Sequence, residues 1–219
     1  RFNIVGLADI AVKEARDRVG SAVKNSSFRP PHYWGHVTVN LAPADIRKEG
    51  SIYDLPIALG FLLTTKQATF DYANKMFVGE LSLDGKVRPI KGVLPMAILA
   101  KEKGITELYV PQENASEASV IKEVQIIPVA TLSDLIAHLE QRVSIKPVPP
   151  IDIENLYTKE EYETNMASIQ GQEHAKRALE IAAAGGHNVL LNGPPGSGKT
   201  LLAKTMSSIL PNLTLTESL

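Results

Sequence analysis

Eight residues near the end of the chain, 193–200, have the types and spacing of a loop that binds phosphate. They read Gly-Pro-Pro-Gly-Ser-Gly-Lys-Thr. Glycines let successive backbone N–H groups turn toward an anion, because no Cβ is in the way. Lys199 would then reach the β- and γ-phosphates of a nucleoside triphosphate, and the Thr200 hydroxyl would ligate Mg²⁺. The predicted nucleotide-binding residues are Gly193, Pro194, Pro195, Gly196, Ser197, Gly198, Lys199, Thr200 and Leu201.

The flanking residues decide whether this pattern is a phosphate loop. Residues 188–191 are typical of a short buried strand, and residues 201–210 carry apolar side chains at helical spacing. The helix would present its unsatisfied N–H groups and the positive end of its dipole to the phosphates. The alternative is a Gly-Pro turn that happens to precede a lysine. Because a strand before and a helix after are the context that the motif requires, we favour the phosphate loop.

The composition excludes several other chemistries. Hydrophobic residues make up 44% and charged residues 21% of the 219 residues, which is ordinary for a globular protein. The formal net charge of -1 gives no overall electrostatic reason to expect nucleic acid or an acidic membrane. The absence of cysteine excludes disulfides, thiol catalysis and zinc–thiolate sites. No apolar run approaches the length of a membrane span, so we expect a cytoplasmic protein without a membrane partner.

Strand and helix patterns alternate through residues 1–142 and predict a mixed α/β domain. Local signals mark its elements: Asp9 and Thr131 are predicted N-caps, Gly104 follows a helix, and Asp84-Gly85 is a two-residue hairpin signal. Strands are predicted at 2–7, 36–41, 76–83, 86–90, 106–110 and 124–129. Helices are predicted at about 9–24, from 55, and at 97–103, 115–121 and 132–141.

The amino-acid composition changes over residues 143–165, and this change predicts a linker. The prolines at 146–150 indicate a stiff, extended spacer, and residues 154–163 are acidic and weakly amphipathic. A second domain would begin at 166, with a helix over 172–184. The alternative is one continuous domain, but the prolines and the shift in composition favour a boundary. Because the chain opens without Met and stops shortly after the predicted loop helix, we expect a piece of a longer protein.

The second domain resembles the start of the AAA+ module in magnesium-chelatase-like ATPases. The resemblance covers residues 169–200, and its most specific part is the Gly-Gly-His-Asn run that leads into the phosphate loop. It implies ATP and Mg²⁺ as cofactors, an adenine-binding region at Ile169, Gln170 and Gly171, and assembly into a ring, typically a hexamer. The acidic second motif and the arginine finger of such modules would lie beyond Leu219. We therefore expect residues 166–219 to be a truncated module that binds nucleotide without hydrolysing it.

The first domain resembles the Lon-type protease domain, an α/β fold of the ribosomal S5 domain 2-like kind. Residues 39–59 and 77–92 carry this resemblance. A Lon-like domain joined by a linker to a chelatase-like AAA+ module is similar to the ComM/YifB family. That family is bacterial, and its ComM-type members act as helicases for branch migration of recombining DNA.

A Lon-type protease needs a serine nucleophile and a neutral lysine within hydrogen-bond reach. Matching the family's motifs to this sequence puts Ile52 where the serine should be and Leu94 where the lysine should be. Ser51 and Lys91 are close in sequence, but neighbouring residues on an element point in different directions. We therefore interpret Ser51 as a loop hydroxyl and Lys91 as a surface lysine, and expect no peptidase activity.

The histidines and the aromatic pair at 33–34 suggest no further site. The histidines show no metal-ligand spacing. Tyr33 and Trp34 could stack on a nucleic-acid base, but we favour a role in packing a loop onto the domain.

Three functions remain, in different classes. The first is an ATP-driven DNA motor, a helicase of recombination or natural transformation, with the Lon-like domain as an accessory. The second is a chelatase-type ATPase that remodels a protein partner, and the third is an ATP-dependent peptidase. The domain combination favours the first, and the missing dyad disfavours the third.

Overall fold

The structure is a computed structural model in which residues 1–43, 45–151 and 164–211 are described. The chain divides into two compact units, Arg1–Asp152 and Ile153–Leu219. The predicted acidic linker at 154–163 lies outside the described residues, and the domain boundaries stay a prediction. In the described part of the chain, no helix is long and apolar enough to cross a membrane.

The first unit alternates strands and helices. Its strands are β1 (Phe2–Val5), β2 (Val37–Asn40), β3 (Lys75–Phe77), β4 (Glu80–Leu81), β5 (Val87–Arg88), β6 (Glu107–Pro111) and β7 (Gln125–Val129). Its helices are α1 (Ile10–Asn25), α2 (Asp54–Thr64), α3 (Val93–Glu102), α4 (Ala115–Ala118) and α5 (Leu132–Leu139). Strands β3, β6 and β7 form a parallel sheet in that order, β1 pairs in parallel with β2, and β4 pairs antiparallel with β5. The predicted mixed α/β class is confirmed.

The parallel sheet separates two hydrophobic clusters. On β6, Tyr109 belongs to the first cluster, whereas Leu108 and Val110 belong to the second. Alternate residues of a strand point to opposite faces, so each face of the sheet has its own cluster. Helices α1, α2 and α5 supply the first cluster, and α3 and α4 supply the second. Both faces are thereby covered, as a parallel sheet requires.

Several helix boundaries follow the predicted capping signals. The Val12 N–H donates to Asp9 Oδ1 at 2.7 Å, and this hydrogen bond lowers the pKa of Asp9. The Asp134 N–H donates to the Thr131 hydroxyl at 3.1 Å, and Gly104 follows α3 with a φ of 67°. The two hydrogen bonds confirm the N-caps, and the left-handed conformation of Gly104 confirms the predicted helix end. The buried residues of α1 are the predicted face: Val12, Ala15, Val19, Ala22 and Val23.

The predicted strand over 76–83 is wrong, because two short strands with different partners replace it. Strand β3 pairs with β6, and after Gly79 the chain pairs as β4 with β5. A Cβ on Gly79 would lie 2.7 Å from Val87 Cγ1, so a side chain there would force Val87 of β5 to move. The hairpin loop is also longer than predicted. The Ser82 N–H donates to the Lys86 carbonyl at 2.9 Å, which leaves three residues, 83–85, in the loop.

Residues 145–151 form no helix or strand, and hydrogen bonds to the first unit show that they are not a free spacer. The Ile145 N–H donates to His138 Nδ1 at 3.0 Å. The Val148 N–H donates to the Ile126 carbonyl of β7 at 2.9 Å, and the Ile151 N–H donates to the Ser119 carbonyl at 3.1 Å. The Val148 hydrogen bond occupies one carbonyl on the outer edge of β7, and open strand edges favour pairing with other chains.

The second unit contains α6 (Glu173–Gly185) and α7 (Lys199–Thr205). A third hydrophobic cluster holds them together, formed by Met166, Ile169, Leu179 and Leu202. Helix α7 is shorter than the predicted 201–210 and continues as a 3₁₀ turn, Met206–Ser208. The Ser207 and Ser208 hydroxyls donate to the carbonyls of Lys204 and Thr205, a local bonding that competes with regular helix.

The predicted buried strand at 188–191 is wrong for the described residues. No described residue of the second unit pairs with it, and Leu190 is 92% exposed. A strand forms only against a neighbouring strand, so the apolar pattern alone does not produce one here.

A buried ion pair ties three elements of the first unit together. Arg18 of α1 donates to both carboxylate oxygens of Asp54 at the start of α2, at 2.6 and 3.0 Å. The Leu81 N–H of β4 donates to the same carboxylate at 3.1 Å. Asp54 is fully buried, and burial raises the pKa of Asp54 more than these two partners lower it. The carboxylate therefore depends on Arg18 to remain charged inside the fold.

We predict that Arg18→Ala lowers the free energy of unfolding of the first unit by about 3–5 kcal/mol, because it leaves a buried carboxylate unpaired. The measurement is urea unfolding followed by the fluorescence of Trp34, the chain's single tryptophan. Arg16→Ala is the matched control, since Arg16 is exposed and pairs with exposed Asp17; its loss should be far smaller than that of Arg18→Ala, because exposed ion pairs contribute little to stability. Equal losses in the two variants would contradict the assigned role of the pair.

Candidate nucleotide-binding site

The loop at 193–198 leads directly into α7, which begins at Lys199. Gly196 and Gly198 have φ angles of 78° and 80°. This left-handed conformation is open to glycine and costly for other residues. The two glycines are thus the positions at which the loop turns, as the sequence predicts.

Several backbone N–H donors lie at the junction between the loop and α7. The first N–H groups of a helix have no partner within it. Within the described chain, no residue accepts a hydrogen bond from the backbone N–H of Gly198, Lys199 or Thr200. Donors of this kind at the start of a helix form a binding site for an anion.

The Lys199 ammonium lies over the loop. Its Nζ donates to the carbonyls of Gly193 and Pro194 at 2.9 and 2.6 Å, and lies 3.2 Å from the Ser197 hydroxyl. Two loop carbonyls and the Ser197 hydroxyl therefore surround the positively charged ammonium of Lys199, the first residue of α7. This arrangement has the charge and the donors to bind phosphate oxygens.

Thr200 has the chemistry to ligate a magnesium ion held by a nucleotide. It is exposed, and its hydroxyl bonds to no other described residue. No group of three or more His, Asp or Glu in the described ranges could hold a metal by itself. Mg²⁺ characteristically takes one or two protein oxygens together with phosphate oxygens and water, and the single hydroxyl of Thr200 fits that pattern.

The predicted adenine region lies beside the loop and α7. The Ile169 side chain is buried and packs in the third cluster with Leu202 of α7. Gln170 and Gly171 are exposed, so they and the Ile169 backbone are the parts of this region that a base could reach. Its role in binding adenine stays a prediction.

Gln172 is a residue at the loop that the sequence analysis missed. Its side-chain Nε2 donates to the Ser197 carbonyl at 3.2 Å. The signal in the sequence is slight: glutamine stands directly before α6, at an N-cap position where Ser, Thr, Asp or Asn is preferred.

The two positions of the missing protease dyad are used for packing. Ile52 and Leu94 are partly buried and both pack against the second cluster. Ser51 donates a hydrogen bond to Glu80, and Lys91 is exposed, as interpreted from the sequence. Hydrocarbon side chains can neither attack a carbonyl nor accept a proton, so the structure offers no dyad at Ile52 and Leu94.

The aromatic pair near β2 is more exposed than a packing role predicts. Tyr33 is 69% and Trp34 39% exposed, and Tyr33 lies against the His32 ring with centroids 4.4 Å apart. Trp34 lines an apolar groove of about 740 Å³ between β2 and α2. Pro31 is the buried residue of this turn. Pro31 is therefore the most buried anchor of the turn, Trp34 packs in part against the groove, and Tyr33 is largely exposed.

Comparison with known proteins gives matches to both units. The family described as subunit ChlI of Mg-chelatase matches residues 1–114, and the family described as magnesium chelatase, subunit ChlI, matches residues 165–219. The competence protein ComM of Haemophilus influenzae is 43% identical over 220 residues, which cover 100% of this chain and 43% of the relative.

Two other relatives are also similar to this chain in sequence. The uncharacterized protein YifB of Escherichia coli is 40% identical over 222 residues, covering 100% of this chain and 42% of that protein. The chain thus spans less than half the length of these relatives. Lon protease 2 of Bacillus subtilis is 27% identical over 130 residues, or 58% of this chain and 22% of the protease.

We predict that Ile52→Ser lowers the free energy of unfolding of the first unit by about 1–3 kcal/mol, because it removes apolar contacts with the second cluster. Urea unfolding followed by Trp34 fluorescence measures this loss, and the exposed Lys91→Ala is the control, with an expected change within about 0.5 kcal/mol. Peptide hydrolysis by the chain that disappears in Ser51→Ala or Lys91→Ala would refute the interpretation of these two residues as non-catalytic.

Proposed function

The chain belongs to the ComM/YifB family of magnesium-chelatase-like AAA+ ATPases, and on that basis we propose that its second unit binds ATP with Mg²⁺. The observation that carries this proposal is the position of the Lys199 ammonium over the loop, next to backbone N–H groups that have no partner among the described residues. A second observation supports it: the two loop glycines adopt left-handed conformations that direct backbone groups without side-chain hindrance.

Binding would change the partners of Lys199. In the structure its ammonium donates to two neutral carbonyls, those of Gly193 and Pro194. Phosphate oxygens are charged acceptors, and charge-assisted hydrogen bonds are roughly twice as strong as neutral ones. Lys199 would therefore exchange these carbonyls for the β- and γ-phosphates. When bound, Mg²⁺ supplies further charge neutralisation there, with Thr200 as its protein ligand.

We further propose that these 219 residues bind nucleotide without turning it over. The described carboxylates of the second unit, Glu173 and Glu180, lie on α6 and pair with Lys176 and Arg177. Hydrolysis needs a group that positions the attacking water and an arginine that stabilises the charge of the transition state. The family resemblance assigns both to regions beyond this chain, and the arginine to a neighbouring subunit of a ring, typically a hexamer.

For the intact protein we propose an ATP-driven DNA motor of the ComM type, acting in recombination or natural transformation. The support is the 43% identity to a relative named a competence protein and the presence of a Lon-like unit without its dyad. The second candidate is a chelatase-type ATPase that remodels a protein partner, which the description of the matched family favours. A Lon-type peptidase is disfavoured by Ile52 and Leu94.

We predict that Lys199→Ala raises the dissociation constant of the chain for Mg²⁺-ATP by at least about tenfold, because one charge-assisted contact to phosphate is worth roughly 1.5–3 kcal/mol. Displacement of a fluorescent ATP analogue measures it. Lys204→Ala removes a positive charge from the same helix and serves as the control, with affinity within about twofold of the unchanged chain. Undiminished affinity in Lys199→Ala would refute the site.

We predict that single-stranded DNA stimulates ATP hydrolysis by the intact protein several-fold, and that Lys199→Ala abolishes both the basal and the stimulated rate. Phosphate release with and without DNA measures this. Hydrolysis that DNA leaves unchanged would refute the DNA motor and favour the protein-remodelling ATPase.

A further inference from the structure

Gln172 has an unusual backbone conformation directly before α6. Its φ and ψ angles are 57° and 38°, in the left-handed region. A residue with a Cβ pays a conformational cost there, and such conformations often mark functional positions. Glutamine is not among the residues that adopt this conformation readily. Five other described residues with a Cβ share a positive φ, so the contacts of the Gln172 side chain decide whether this position has a role.

The Gln172 side chain does not cap the helix that it precedes. No side-chain hydrogen bond is made to the first turn of α6. Its amide Nε2 instead donates to the Ser197 carbonyl at 3.2 Å, across 25 residues of sequence. The side chain is thus directed to the phosphate loop, although a capping role on α6 would be the local alternative.

The contact acts on one peptide group of the loop. In a trans peptide the C=O of one residue and the N–H of the next point in opposite directions. Fixing the Ser197 carbonyl toward Gln172 therefore fixes the Gly198 N–H away from Gln172. That N–H has no protein acceptor among the described residues, and it belongs to the donors that the loop offers to an anion.

Gly198 has a backbone conformation and a lack of side chain that suit the contact between Gln172 and Ser197. Its φ of 80° favours glycine, and a Cβ built there would lie 3.3 Å from Gln172 Nε2, a tight contact. The absence of a side chain at 198 lets the Gln172 amide approach the loop. Gln172 and Gly198 thus make up one contact between the segment before α6 and the turn before α7.

We propose that Gln172 is a positioning residue for the phosphate loop: its amide holds the Ser197–Gly198 peptide so that the Gly198 N–H is directed to the nucleotide's phosphates. This inference rests on the proposed nucleotide site. Gln172 itself does not touch the nucleotide in this proposal. Because residues 169–171 immediately precede Gln172, it also links the region proposed for adenine to the phosphate loop.

The deciding variant is Gln172→Gly. Glycine adopts the left-handed conformation without cost, so this variant removes the amide and should keep or raise the stability of the unit. We expect its dissociation constant for Mg²⁺-ADP to rise about three- to tenfold, the effect of one neutral hydrogen bond. Gln172→Glu keeps the length but replaces the donor with a charged acceptor, and should lose at least as much affinity. Arg177→Gln, an exposed change on α6, is the control.

Two readouts separate positioning from a structural role in the full chain. Calorimetric titration gives the dissociation constants for Mg²⁺-ADP and for AMP, which lacks the β-phosphate; the loss should be larger for ADP. The ¹H–¹⁵N resonance of Gly198 should shift in Gln172→Gly before nucleotide is added. A purely structural role predicts no loss of affinity in the glycine variant.

If the unchanged chain binds ADP and Gln172→Gly binds it equally well, the inference is overturned and the proposed function stands. If the unchanged chain binds no ADP, the proposed function fails and the inference fails with it. A weaker ADP affinity together with a shifted Gly198 resonance supports both.

Discussion

A parallel strand needs a paired neighbour and cover on both faces, and this constraint organises both units. In the first unit β6 meets it fully: it lies between β3 and β7, with Tyr109 in one cluster and Leu108 and Val110 in the other. In the second unit, residues 188–191 have a strand's composition but no described partner, and Leu190 stays 92% exposed. Among the described residues, the segment that precedes the phosphate loop therefore has no strand partner.

The loop is therefore held from its helix side. Leu202 of α7 packs with Met166, Ile169 and Leu179 in the third cluster, and the Lys199 ammonium draws the loop carbonyls toward the start of that helix. The Gln172 amide adds a contact from the segment before α6. Because Ile169 belongs to the same cluster as Leu202, the regions proposed for adenine and for phosphate are fixed against each other by apolar packing.

The features that could be predicted from the sequence are those set by local chemistry. The caps at Asp9 and Thr131, the buried face of α1 and the glycines of the loop depend on residues a few positions apart. The failures depend on distant partners: the strand at 76–83 splits because β3 pairs with β6 and β4 with β5. The contact from Gln172 to Ser197 spans 25 residues. The sequence pattern before α6 gives no indication of where that side chain points.

The two units use their polar side chains differently, and this difference is the best structural argument about their roles. In the first unit, the buried polar contacts of Arg18 and Asp54 join α1, α2 and β4, and the positions of a protease dyad carry Ile52 and Leu94, which pack against a core. At these two positions the side chains contribute to packing. In the second unit, Lys199 and Gln172 direct their polar atoms to the carbonyls of a single loop. The polar side chains directed to one loop favour the second unit as the place of the proposed nucleotide chemistry.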